Sequence, residues 1–213
     1  STGLTTVYIL AEALFRNSDY IILVGSTEDN AAEQLGNITE ELVENEELIR
    51  DFGIKKFLRT SNTDVICECT DGHRFRILAK GAEQRIRGKL WKGKRPNLLV
   101  ADDMEDDEQV ENPDRRLKFR RWFFRAAKQA LSKAGRIRVH GTILHEDSLL
   151  SRLRKNRTWK HQFYAAHAGF DDFSDILWPE RWSEAELRNR RQEFIEDNDA
   201  PVAIAIGNVD FTG

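Results

Sequence analysis

Two adjacent aspartates, Asp102 and Asp103, close the apolar run Leu98, Leu99, Val100 and Ala101, and the acids Glu105, Asp106, Asp107, Glu108 and Glu111 follow within ten residues. An apolar run of that length is the pattern of a strand buried on both faces. Carboxylates at the carboxyl end of such a strand stand where open α/β sheets bind their ligands. Neighbouring acids can divide two tasks, one holding a divalent cation and the other orienting or activating water. The bland alternative is a strand that ends in a solvated acidic loop, and most of residues 105–111 read that way. A second strand, RIRVHGT, ends in Gly141 and Thr142 and offers a hydroxyl.

Other reactive side chains are weaker candidates. His145, Glu146 and Asp147 are too tightly spaced for a zinc motif, and Asp147 with Ser148 reads as a helix cap. His161 and His167 read as surface or packing histidines. Cys67 and Cys69 share one strand face, and no second pair accompanies them, so a zinc site is not expected. Two cysteines in this chain fit a reducing compartment better than a disulfide framework.

These residues need a scaffold. The segments LTTVYILAEALFRN and AAEQLGNITEELVENEELIRDFG predict helices, the second capped by Ser26 and Asp29 and stopped at Gly53. YIILVG predicts a buried strand. DVICECT and HRFRILAKG flank Asp71-Gly72, a strong hairpin signal. Asn112-Pro113 starts a helix whose apolar stripe is Phe119, Trp122, Phe123, Ala126, Ala127, Ala130 and Ala134, ending at Gly135. Those aromatics read as core. WKHQFYAAH is expected as a further strand, and LWPERWSEAELRNRRQEF as a loop entering a helix, with Trp178 and Trp182 packing a lid-like segment. Alternating strands and helices predict a mostly parallel, helix-covered α/β sheet.

At 213 residues the chain can bury a substantial core. No run approaches the roughly 18 apolar residues of a membrane span, and no basic leader precedes the first helix, so neither membrane nor secretory signal is expected. The net charge of −3 does not announce a nucleic-acid binder, yet residues 115–138 are strongly basic, and whole-chain charge hides such patches.

Taken together and in order, RPNLLVADDMEDDEQVENPDRR and RVHGTILHEDSLLSRL, with STGLTTVYILAEALFRNSDYIILVGSTEDNAAEQL before them, RIRG, and ILWPERWSEAELRNRR after them, resemble the ATPase part of the large terminase subunit of tailed bacteriophages. The resemblance spans most of residues 1–191. It implies a P-loop NTPase-like fold of the ASCE type with a β-hairpin insertion and a small lid-like carboxyl-terminal segment. It implies an ATPase core over 1–157, a lid or linker over 158–196, and a linker or the start of a nuclease domain over 197–213, where Asp210 would be a metal acid.

The same resemblance implies a Walker B strand with Asp102 on Mg²⁺ and Asp103 as catalytic carboxylate. Many members of the family have glutamate at the second position, so Glu105 is the understudy. Thr142, beside Gly141, would sense the γ-phosphate of ATP, and Arg87 in RIRG would be the charge-stabilising arginine, with Arg85 as its rival. The phosphate-loop motif G-x-x-x-x-G-K-[ST] does not occur in the chain. The opening Ser1-Thr2 would follow the motif's lysine, with Ser1 reaching Mg²⁺. Implied partners are double-stranded DNA, a portal protein, a small terminase subunit and further copies in a ring, in the cytoplasm of an infected bacterium. The full-length protein would also be an endonuclease. Two other readings stay open: a non-catalytic module that binds nucleic acid or a partner protein, and a metal-dependent endonuclease using Asp102, Asp103 and Glu105.

Overall fold

The computed structural model describes residues 2–197, without the side chains of the two end residues; Ser1 and Asp210 lie outside that range. Helix α1 (Thr2–Leu14) leads into strand β1 (Tyr20–Gly25). Every residue of β1 is buried, which is why its sequence is a continuous apolar run rather than an alternating one. Helices α2 (Glu28–Glu44) and α3 (Glu46–Phe52) follow, where the sequence predicts one long helix. The break is at Asn45, which ends α2 and caps α3 by accepting from the Leu48 amide. Thr27, rather than the expected Ser26 and Asp29, caps α2: its hydroxyl accepts from the Asn30 amide at 3.1 Å. Gly53 stops α3 in the left-handed conformation with φ 63°, as a glycine can at little steric cost.

Strands β2 (Ile54–Ser61), β3 (Asp64–Cys69) and β4 (Arg74–Gly81) come next, and β3 and β4 form the expected hairpin across Asp71-Gly72. Strand β2 was not legible in the sequence. It is mostly exposed, and its lysines and arginine break the apolar alternation. Strand β5 (Leu98–Asp102) precedes the short helix α4 (Asp107–Glu111) and helix α5 (Pro113–Trp122). Asn112 caps α5 by accepting from the Asp114 and Arg115 amides. A π-helical turn over Phe123–Ala127 and the short α6 (Lys128–Ala130) complete this stretch. The π turn keeps Phe119, Phe123, Ala127 and Ala130 buried, and the helix stops before Ala134, which is exposed.

Strand β6 (Arg136–His140) is followed by α7 (Leu149–Lys155) and α8 (Glu184–Asp197). The sheet order is β2-β3-β4-β1-β5-β6. Strands β4, β1, β5 and β6 run parallel, while β3 is antiparallel to both of its neighbours. The result is a six-stranded mixed α/β sheet whose greater part is parallel. One face is closed by a continuous core in which Ile9 and Ala13 of α1 and Leu35, Ile38 and Leu42 of α2 meet Ile21, Leu23, Ile77 and Val100. Each of the leucine, isoleucine and valine side chains contributes about 1.5–3 kcal/mol on burial. The alternate residues Ile22, Val24, Leu99 and Ala101 are equally buried, so both faces of the central strands are covered.

The chain divides into two compact units, Ser1–Arg152 and Leu153–Gly213. In the second, residues 159–167 form no strand, contrary to expectation: residues 160–166 are exposed along both faces, and a strand needs at least one side to bury. That unit is organised by aromatic rings and arginines. His167 stacks on Phe173, Arg191 lies 4.4 Å over Phe170, and Ser183 and Glu186 cap α8 reciprocally. Trp178 is exposed, with Arg181 5.4 Å above it. Among the described residues no helix is long and apolar enough to cross a membrane.

Candidate functional site

Strands β5 and β6 pair in parallel with Asp102 opposite His140, so the acids and the Gly141-Thr142 pair leave the sheet side by side at one rim. The Asp103 amide donates to the His140 carbonyl at 3.2 Å, one residue beyond the last ladder position. Asp103 itself takes φ 42°, a left-handed conformation that aspartate tolerates better than most residues. Gly141 opposite has φ 152°, and a Cβ there would stand 3.0 Å from Asp103 Oδ1 and 3.1 Å from Leu150 Cδ1. The glycine is therefore what lets the two strand ends close up.

A cavity of about 220 Å³ opens between them, with Asp103, Glu105, Gly141 and Thr142 all on its wall. That is below the ~300–1,000 Å³ of a pocket enclosing a whole ligand, and suits a group the size of a phosphate. Asp102 is not on this wall. It adjoins on the α2 side, 1% exposed, where Oδ2 accepts from Gln34 Nε2 at 2.8 Å. Its other oxygen, Oδ1, is buried with no hydrogen-bond partner among the described residues. A buried carboxylate oxygen without a donor is costly, and a cation or a cation's water would satisfy it. The residues present thus fit a Mg²⁺ ion held through Asp102.

Three residues that the sequence reading did not single out join the rim. Thr5, near the start of α1, and His140 are linked through Oγ1 and Nδ1 at 2.8 Å, which fixes the amino end of α1 beside the ends of β5 and β6. Helix amino ends favour anions. Burial pushes the His140 imidazole below its ordinary range, against the pull of the Asp102 charge. Gln34, the third residue, is legible only once α2 is known to cross the end of β5.

Glu105 has a definite structural task. Both of its oxygens accept from the Leu149 amide at 2.8 Å, and one lies 3.4 Å from the Leu150 amide, so it caps α7 from the β5 side. Burial raises its pKa, and those amides oppose the rise. Ser148 also caps α7, accepting from the Ser151 amide, whereas Asp147, the expected cap, faces arginines instead. Arg120 and Arg152 hold its carboxyl at about 2, and Arg116 lies 3.5 Å away. His145 Nδ1 accepts from the Asp147 amide. The loop from Thr142 to α7 is thus tied at three points.

Those pairings reassign part of the basic stretch. Arg116 and Arg120 serve Asp147 and are largely buried, Arg136 pairs with the buried Glu12, and Arg115 bonds Glu108 at the surface, so these guanidiniums already have carboxylate partners. Arg87 is away from the cavity wall, exposed, and donates to the Arg125 carbonyl. The side chains of Ser1 and Thr2 lie outside the described set. Among the described residues no group of three or more histidines, cysteines or carboxylates is arranged to hold a metal ion. The Asp102, Asp103 and Glu105 triad of the nuclease reading is therefore not assembled.

No protein-family profile and no curated protein matches the chain. Solved structures do. The Thermus phage P74-26 large terminase ATPase domain aligns over 66% of this chain and 54% of its own, at 15% identity and a TM-score of 0.46. An arginine-to-alanine mutant of the same domain aligns over 93% of this chain and 80% of its own, at 15% identity and a TM-score of 0.59. With the acid pair and the glycine-hydroxyl pair at one sheet rim, this chain has the α/β fold of a phage large terminase ATPase domain.

Proposed function

We propose that this chain is the ATPase part of a motor that drives double-stranded viral DNA into a procapsid, the large terminase subunit of a tailed phage. The observation that carries the reading is one cavity shared by Asp103, Gly141 and Thr142, beside the unpartnered buried oxygen of Asp102. In this reading Asp102 holds Mg²⁺, which supplies neutralisation of phosphate charge. Asp103 orients the attacking water and accepts its proton, and its left-handed backbone aims it across the gap at Gly141. The Thr142 hydroxyl contacts the terminal phosphate of ATP, and in the same reading Ser1 and Thr2 bind the nucleotide, Ser1 also reaching Mg²⁺.

Glu105 then serves as a tie rather than as a base. It links the acid-bearing loop to α7, so a shift of Thr142 on phosphate release reaches that helix. Arg87, exposed, suits presentation to a neighbouring subunit of a ring, where such an arginine is worth ~10³–10⁵ in rate. The portal protein, the small terminase subunit and the bacterial cytoplasm belong to the same reading, as does an endonuclease activity in the full-length protein.

The test is steady-state phosphate release by the complete gene product. Asp102→Ala and Asp103→Asn each abolish turnover while the unfolding midpoint stays within a few degrees. Thr142→Val lowers turnover and leaves nucleotide affinity largely intact. Ordinary turnover in both aspartate variants removes the assignment.

A further inference from the structure

At the amino ends of the parallel strands, the opposite edge of the sheet from Asp103, lies a second cavity of about 400 Å³. Tyr20 opens β1 and Asn97 immediately precedes β5, so the sheet itself forms the floor. A strand of six residues separates the two cavities by roughly 17 Å. The outer wall is a tight turn: Trp91 and Lys94 exchange both backbone hydrogen bonds, at 3.0 and 2.9 Å. Lys92 and Gly93 between them have φ 49° and 74°, the pair of positive angles that a type I′ turn needs.

That turn puts Trp91, Lys92 and Lys94 around the mouth, and Arg95 and Arg74 join the wall. Four cations therefore face one lining carboxylate, Asp19, which stands 3.7 Å from Lys94. Arg74 is already engaged by Glu68, while Lys94 meets Asp19 only at 3.7 Å and Arg95 has only a long contact of 3.4 Å to the Gln129 carbonyl, so the lysines and Arg95 can turn to an anion. The Lys94 side chain is 74% exposed.

Two aromatic features give the cavity more than charge. The Lys92 ammonium stands 4.9 Å over the Trp91 ring and covers that indole face, so a base stacks there as Lys92 swings out to its phosphate. The Trp91 edge meets Tyr20, whose centroid is 6.0 Å away. Tyr20 is 1% exposed, and its hydroxyl has no hydrogen-bond partner among the described residues, although buried phenols ordinarily find one. Burial also raises its pKa, so the hydroxyl stays a donor at neutral pH.

We infer that this cavity binds one unpaired nucleotide, its phosphate on Lys92, Lys94 and Arg95 and its base on the Trp91 face. A lone carboxylate would use the lysines and leave the indole idle. A paired base in a duplex presents no free face to the indole. The inference does not rest on the reading of the Asp103 rim, since the two cavities share no residue.

The experiment measures the whole protein in EDTA, which removes metal-dependent nucleotide binding at the rim. Anisotropy of a short fluorescein-labelled oligothymidylate and calorimetry with thymidine monophosphate are run in parallel. Trp91→Ala weakens strand binding about tenfold, as loss of one stacked base does. Trp91→Phe, which keeps a stacking face and most of the volume, retains most of the affinity, and Asp102→Ala leaves it unchanged. The double variant Lys92→Glu with Lys94→Glu, on exposed positions that do not threaten the fold, weakens binding at least about a hundredfold and flattens what salt dependence remains. Monophosphate binding with the same sensitivities identifies a free nucleotide as sufficient; binding of the strand alone identifies the polynucleotide as the ligand. The inference is overturned if neither probe binds, if Trp91→Ala changes nothing while charge reversal weakens binding, or if duplex DNA binds as tightly as the single strand.

Discussion

Asp147→Asn tests whether the loop between Thr142 and α7 is held electrostatically. The wild-type carboxyl is drawn from the usual 3.8 to about 2, chiefly by its hydrogen bond from Arg120 and then by Arg152. At ~1.36 kcal/mol per pH unit that depression corresponds to about 2 kcal/mol. The Asp147 side chain is 30% exposed and Arg152 is 55% exposed, so solvent screening brings the expected contribution to about 1 kcal/mol. The sign follows from linkage. A carboxyl whose folded value lies below its unfolded value stabilises the fold above about pH 4, and that contribution disappears as pH falls towards about 2. Urea unfolding of wild type and Asp147→Asn, followed by circular dichroism, should give a difference of about 1 kcal/mol at neutral pH that shrinks steadily between about pH 4 and pH 2. Asparagine mimics the protonated acid, so the two proteins converge there. A difference that is constant with pH, or absent at neutral pH, refutes the electrostatic tie.

Gly141→Ala should destabilise the protein by about 1–3 kcal/mol, because its φ and a 3.0 Å approach to Asp103 both oppose a side chain; turnover should fall more than nucleotide affinity, and unchanged turnover would contradict the close packing of the two strand ends. Glu105→Ala leaves the Leu149 and Leu150 amides without their acceptor and should cost about 2 kcal/mol in urea unfolding. Glu105→Gln should cost under about 1 kcal/mol, since the raised pKa of the acid means that ionisation works against the fold as pH rises; equal losses in the two variants would refute the capping role. Burial pushes the Cys67 thiol up to about 12 and the Cys69 thiol in the same direction, so both should resist a thiol reagent at mildly alkaline pH until urea unfolds the chain. Rapid labelling of the folded protein would contradict their burial.

The parts of the fold that were legible in the sequence are those where one local signal dominates. β1 and β5 announce themselves as unbroken apolar runs, Asp71-Gly72 dictates a hairpin, and Asn112-Pro113 starts α5. The illegible parts depend on partners far along the chain. β2 is a strand because β3 offers it an edge, while its own residues are mostly charged or polar. WKHQFYAAH has aromatic content but no burial on either face, and so remains irregular. The candidate site divides in the same way. The acids and Gly141-Thr142 could be found from their positions at strand ends, and their adjacency follows from the β5–β6 register. The partnership of Asp102 with Gln34, of Thr5 with His140 and of Glu105 with α7 spans 68, 135 and 44 residues, beyond any local pattern.

The most direct measurement is a structure of the complete gene product with Mg²⁺ and a non-hydrolysable ATP analogue. The account predicts metal density against Asp102 Oδ1, which has no partner among the described residues, and the terminal phosphate between Asp103 and Thr142. Nucleotide density elsewhere, with this cavity still filled only by solvent, would contradict it.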